Sequence, residues 1–282
     1  MAKSGIFTTL LCLIMVSASL VFAQNQSIST DINSSTAISM DQTGQRYKTL
    51  INEILQISQA YYYQGRLDDA LRLLDNSNEM LDQEEVTCED WTRVLIQRAK
   101  ITSFKGSLSG NKDYHNLSLT LLAEAKRRAE DSHDKQLLAD TLDLIGFILY
   151  IKDFSQADTE TLLGYYQKAL AIRKEIDDQR GISDSLFHIG LVYENRANAS
   201  KDDKQKAFEY YQQALAIAKQ GDYKLEKSYA FRHLGYFYQE NGELDKALSY
   251  YQQSLSLREE IGFKPYLSPA HLLIGDFYFD TR

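Results

Sequence analysis

The sequence has 282 residues, 44% hydrophobic and 25% charged, with a formal net charge of −8, which places it among ordinary folded proteins of one or two domains. Two prolines and 14 glycines are too few for a loop-rich β fold, and apolar residues recur at three and four rather than in alternation. The acidic balance, with no cluster of lysine and arginine, argues against nucleic acid or an anionic membrane surface as a partner.

Residues 1–23 read as a secretory signal peptide: Lys3 gives a positive start, Ile6 to Val21 is apolar and uncharged, and Val21-Phe22-Ala23 supplies small residues for cleavage. An uncleaved anchor is the rival, since the apolar run lies near the lower limit for spanning a bilayer. Cys12 follows Leu11 and so does not form a lipid-attachment motif. Cleavage after Ala23 moves the net charge to −9 and leaves Cys88 as the single cysteine. With no intrachain disulfide available, the fold has to be held by apolar burial, which suits a bacterial periplasm or surface. Residues 24–45 are polar and aperiodic and read as a disordered linker.

From residue 46 the chain repeats itself. "YYQKALAIRKEI" at 165–176 returns as "YYQQALAIAKQG" at 210–221 and "YYQQSLSLREEI" at 250–261. Upstream of them, "DLIGFILY", "FHIGLVYE", "RHLGYFYQ" and "LLIGDFYF" end at Tyr150, Glu194, Gln239 and Phe279. The unit is therefore two helical segments, and the chain is an array of such units.

In the fifth copy the small and large choices fall at Leu234, Gly235, Tyr238, Gly242, Ala247, Tyr251 and Ser254. This pattern resembles the tetratricopeptide repeat, a helix-turn-helix unit in which Gly or Ala lets two helices approach and aromatic rings fill the gaps between hairpins. The resemblance implies an all-α fold, a right-handed α-solenoid of stacked hairpins, with five repeats over 46–267 and the first helix of a sixth over 268–282. It runs over 46–279 and is weakest in repeat two, around Trp91.

Small residues mark the register: Ser58, Ala99, Gly146, Gly190, Gly235 and Gly275 on first helices, and Ser77, Ala125, Ala169, Ala214 and Ser254 on second helices. Each late mark precedes the next early one by 21 or 22 residues, about six more than a 34-residue repeat requires. That spacing predicts a long-period variant with both helices at each junction lengthened by about a turn. Within repeats two, three and four the spacing predicts enlarged turns at "KGSLSGNKDYHN", "KDFSQADTE" and "NRANASKDDK". Pro265 sits at the closing-proline position, and Ser268-Pro269 reads as an N-cap followed by a first-turn proline. The array stops at Arg282 without a second helix for its last hairpin, which favours the front part of a longer protein over a poorly capped end.

No H-E-x-x-H, G-x-S-x-G, phosphate-binding glycine loop or C-x-x-C occurs, so no catalytic residue, cofactor or metal is expected. His188 and His233 share one register position and lack a third ligand; partly buried structural histidines are the reading favoured over a metal-dependent hydrolase. Carboxylate pairs such as Asp68-Asp69, Asp177-Asp178 and Asp202-Asp203 fall at turns and helix starts.

What the resemblance implies for function is a concave groove lined by first helices. By register it holds Tyr62, Tyr63, Arg93, Lys100, Phe104, Phe147, Tyr150, Phe187, Leu191, Tyr229, Arg232 and Tyr236, with Asp140, Asp143, Asp184, Glu194 and Glu240 among them. Tyrosine and arginine anchor protein interfaces; the competing reading is that lengthened neighbouring helices cover these rings. Leu55 and Gln59 occupy positions where chaperone-binding relatives carry Lys and Asn, so an acidic chaperone tail is not the expected ligand. The resemblance therefore implies a non-catalytic module binding a protein or peptide, with no direct membrane contact by the array. It is exported, either as the extracytoplasmic sensor part of a bacterial signalling protein or as a freestanding periplasmic or secreted adaptor.

Overall fold

A computed structural model describes residues 40–77, 81, 86–153, 158–196 and 199–280. The signal peptide expected at 1–23 and residues 24–39 of the linker lie outside the described residues. Among the described residues eleven α-helices follow one another: α1 (Met40–Tyr63), α2 (Leu67–Asn76), α3 (Cys88–Ser109), α4 (Lys112–Asp131), α5 (Lys135–Lys152), α6 (Thr159–Glu175), α7 (Gln179–Asn195), α8 (Lys201–Gln220), α9 (Lys224–Glu240), α10 (Leu244–Glu260) and α11 (Leu267–Asp280). A 3-10 turn, Lys264–Tyr266, precedes α11. Among the described residues there is no strand, and no helix is long and apolar enough to cross a membrane. Odd-numbered helices are the first of each hairpin and even-numbered ones the second, giving five stacked hairpins and an eleventh helix.

Helix starts are written into the sequence as side-chain caps. Thr87, Asn111, Asp134, Asp158 and Asp178 each accept a hydrogen bond from a first-turn amide, and Ser200 with Asp203 forms a reciprocal capping box. Every junction between hairpins two to six ends its helix in one way. His133, Asp177, Asp222 and Gly262 take positive φ, and the next amide reaches back to the carbonyls of Ala129, Arg173, Ala218 and Arg258. That closing bond satisfies a carbonyl the helix would otherwise leave bare.

The register marks are where hairpins close up. Ser58, Ala99, Ser77, Ala125, Ala169, Ala214 and Ser254 are all buried. Beside Gly146, Gly190 and Gly235 lie the rings of Tyr166, Tyr211 and Tyr251, so near that a methyl group would sit 2.9, 2.6 and 2.6 Å from a ring carbon. Where the mark is Ser58 or Ala99, the facing position carries the smaller Leu74 or Leu122, both fully buried. Small mark and large partner thus trade volume from repeat to repeat, as dense packing requires.

Three boundaries differ from expectation. α1 begins at Met40, so residues 40–45 are helical and not linker; the segment contains no proline to break the helix. The enlarged turn expected in repeat two is absent: α3 runs to Ser109 and α4 starts at Lys112, leaving Gly110 and Asn111 as the whole turn. Gly110 at φ 67° ends one helix and Asn111 caps the next, so the extra residues extend helices. Ser268 lies inside the first turn of α11, because the 3-10 turn feeds directly into the helix at Leu267.

Candidate functional site

The concave side of the array is narrowed to a partly open cavity because its two ends meet. Tyr62 and Tyr63, the last residues of α1, lie 5.4 and 5.0 Å from the fully buried ring of Phe263. Tyr266 lies 5.6 Å from Phe104 and 6.3 Å from Tyr229. Pro265 sits against Gly65 in the first hairpin's turn. This aromatic closure joins the fifth repeat to the first and second, and its rings bury one another's apolar area.

Inside is a cavity of about 1120 Å³. Ten of the twelve groove residues read from the sequence line it: Tyr62, Tyr63, Lys100, Phe104, Phe147, Tyr150, Phe187, Leu191, Tyr229 and Arg232. Tyr62, Phe187 and Leu191 are themselves buried, since neighbouring rings cover them: Tyr62 lies against Phe104 and Phe263, and Phe187 against Tyr211, Tyr229 and His233. The other seven keep exposed or half-exposed surface. Two residues fall elsewhere. Arg93 faces a shallower depression beside α1, where it donates to Asn52 Oδ1 at 2.7 Å. Tyr236 is 44% exposed and outside the cavity, because the closing contact on α9 runs through Tyr229, two turns earlier.

The polar wall is built around Arg173, which the groove register missed because it lies on a second helix. Its guanidinium is 4% exposed and donates to Asp143 Oδ1 (3.0 Å), Asp140 Oδ1 (2.9 Å), Ser185 Oγ (2.7 Å) and the Gly181 carbonyl (2.8 Å). Asp143 also holds His188 Nδ1 at 2.6 Å. Burial works to raise the Asp143 carboxyl, but His188 and Arg173 overcome it and hold it down at about 2. Burial works to lower the His188 imidazole, and Asp143 raises it. One repeat on, His233 Nδ1 lies 2.8 Å from Glu194 Oε2, which also accepts from the Tyr211 hydroxyl. Each of the two histidines is thus hydrogen-bonded to a carboxylate of the preceding repeat. Among the described residues no group of three or more His, Cys, Asp or Glu is arranged to hold a metal ion. Glu240, the last groove carboxylate, pairs with Lys204 at 2.7 Å.

Four charged groups on the cavity wall have no hydrogen-bond or ion-pair partner among the described residues: Lys100, Lys152, Arg232 and Asp184. Lys100 lies over the Tyr62 ring at 5.4 Å, and burial lowers its pKa. Burial, followed by the negative charge of Glu226, pushes the Asp184 carboxyl up to about 7. Glu226 is paired with Arg180 at 2.6 Å. A cavity with apolar rings and unsatisfied charges can hold a chain segment through ring contacts and direct its orientation through the charges.

A family model described as the tetratricopeptide repeat matches residues 230–264. No curated protein matches the sequence. Among solved structures, the chain is similar to a Pyrococcus horikoshii signal transduction ATPase with numerous domains that has a tetratricopeptide repeat sensor. The TM-score is 0.50 and the identity 18%, over 86% of this chain and 36% of that one, so this chain spans about a third of that protein's length. The apo form of RapI matches with a TM-score of 0.49 and 13% identity, over 95% of this chain and 65% of the other. The TPR2AB domain of yeast Sti1 in its pHSP90 complex matches with a TM-score of 0.34 and 14% identity, over 82% and 99%. At these identities the likeness is one of fold.

Proposed function

Taking the chain as an α-solenoid that carries the tetratricopeptide repeat, we propose that it is a non-catalytic interaction module that grips an extended peptide or a partner's helix inside its concave cavity. The observation that carries this reading is the partly open wall of rings with Lys100, Arg232 and Asp184 left unpartnered on it. At about 1120 Å³ the space exceeds the roughly 300–1,000 Å³ of small-molecule sites. Lys100 and Asp184, half-buried in this wall without a partner, lose hydration with nothing in return, and a ligand that supplies the partner recovers that loss.

The test is an array of decapeptides probed with the protein from residue 24 onward. Phe147→Ala removes a cavity ring and weakens the best binders by about tenfold or more. Leu244→Ala, at an exposed position on α10 outside the cavity lining, leaves them unchanged. Equal affinities for wild type and Phe147→Ala would place the binding surface elsewhere.

The leader at 1–23, with its single positive charge, apolar run and small cleavage residues, supports export to the periplasm or cell exterior. In that setting the module is the extracytoplasmic sensor part of a signalling protein, a reading supported by the Pyrococcus horikoshii protein, whose repeat region is described as a sensor. A freestanding adaptor of an envelope complex is the alternative. Cell fractionation tests the export, and the genomic reading frame past codon 282 separates the two: a membrane helix and a signalling domain downstream support the sensor.

A further inference from the structure

Repeats three and five place an arginine at the same point of their second helices, Arg173 in "YYQKALAIRKEI" and Arg258 in "YYQQSLSLREEI". Both are buried, at 4% and 1% exposure. Arg173 has its charge matched by Asp140 and Asp143, with Asp178 3.7 Å from its Nε, and its Nη1 also donates to Ser185 Oγ and the Gly181 carbonyl. In the register of repeats five and six the positions of Asp140, Asp143, Ser185 and Gly181 are Tyr229, Arg232, Ala270 and Tyr266. Both carboxylates are gone, and one is replaced by a second arginine.

Arg258 is accordingly left without a counter-charge. Its Nη2 has no hydrogen-bond partner, and its Nε reaches Ser228 Oγ only at 3.5 Å. The guanidinium lies against the rings of Tyr229 and Tyr266, 5.8 and 5.5 Å from their centroids, and both rings line the cavity with Arg232. Burial lowers the pKa of Arg258, and Arg232 nearby lowers it further. An isolated buried cation is among the costlier features a fold can carry.

The geometry points to an oxyanion site at this corner of the cavity. A carboxylate of the bound partner, from an Asp or Glu side chain or a C-terminus, occupies the place Asp143 fills in repeat three and bridges Arg232 and Arg258. Tyr266, carried on a three-residue 3-10 turn, is the cover that swings aside to admit it. The pair lies on the last complete hairpin, away from Leu55 and Gln59 in α1. The inference rests on the cavity being the binding site and names the ligand group it selects.

Thermal unfolding of the full chain with glutarate, phosphate or chloride at matched ionic strength tests the site. Glutarate raises the wild-type Tm by about 3–6 °C at ten times its Kd. Arg258→Met removes the uncompensated charge, and Arg232→Asp rebuilds the pair of repeat three at an exposed position. Both variants are expected to melt higher than wild type without glutarate and to lose the glutarate response. Arg232→Asp carries the test should Arg258→Met not fold. A wild type that ignores glutarate, a response that survives in both variants, or a response to phosphate alone overturns the carboxylate site. Array peptides with free carboxylates should bind wild type at least tenfold better than their Glu→Gln and C-terminally amidated forms, the two series separating side-chain from terminal carboxylates. Peptides that bind all forms, wild type and Arg232→Asp alike, leave the cavity as binding site and overturn this corner. A glutarate response with no peptide bound overturns the peptide reading instead.

Discussion

Asp184 is a carboxyl in a wall of rings, with no partner of its own and Glu226, Asp143, Arg173 and His188 as its charged neighbours. Its pKa in the folded chain, raised to about 7 from 3.8, means that the folded state holds a proton the unfolded chain has released. The stability it contributes is therefore fully present below about pH 4 and lost as pH rises through about 7. Asp143 behaves oppositely: held at about 2, it contributes stability above about pH 4 and loses it as pH falls toward 2. Tm should thus peak near pH 4, and Asp184→Asn should flatten the fall from pH 4 to 7 while keeping the acid limb. An unchanged alkaline slope in Asp184→Asn would contradict this assignment. At this scale the sequence named ten of the residues on the cavity wall, because Lys100, Phe147 and Leu191 each follow a small register mark by one residue. It missed Arg173 and Arg258, although their identical place in two copies of one motif was the available signal. A groove register confined to first helices cannot reach across to a second-helix side chain.

Between elements, Gly190 and Gly235 let the rings of Tyr211 and Tyr251 close in on the first helix of their hairpins. Tyr211 is buried and tied through its hydroxyl to Glu194, so it cannot give way. Gly190→Ala should cost about 1–3 kcal/mol by overpacking. Gly275 occupies the same register on α11 with open space where a methyl group would sit, and Gly275→Ala should stabilise by about 0.5–1 kcal/mol through helix propensity. Urea unfolding of the two variants checks the contrast, and equal effects would refute it. The hairpins were legible because small marks and caps are local signals. The turn of repeat two was not, since "KGSLSGNKDYHN" has the composition of a loop while the structure places most of it in α3 and α4. A left-handed Gly110 followed by a capping Asn111 makes a turn of two residues, and packing along α3 and α4 outweighs the weak helix propensity of the serines around it.

For the whole molecule, closure of the array on itself decides what the concave face can do. Tyr62 and Phe263 are 201 positions apart in sequence, and their contact depends on the summed curvature of five hairpins; no local pattern encodes that sum. Phe263→Ala removes the ring on which both ends converge. It should cost about 3 kcal/mol and enlarge the radius of gyration measured by small-angle X-ray scattering; an unchanged radius would mean that other contacts hold the ends together. The most direct test of the central claim is photo-cross-linking of the tightest array decapeptide, carrying benzoylphenylalanine, to the wild-type chain, with adducts mapped by mass spectrometry. Adducts on the cavity faces of α3, α5, α7 and α9, around Lys100, Phe147 and Tyr229, are the predicted result. Adducts confined to positions outside the cavity lining, such as Leu117 or Leu244, would contradict it.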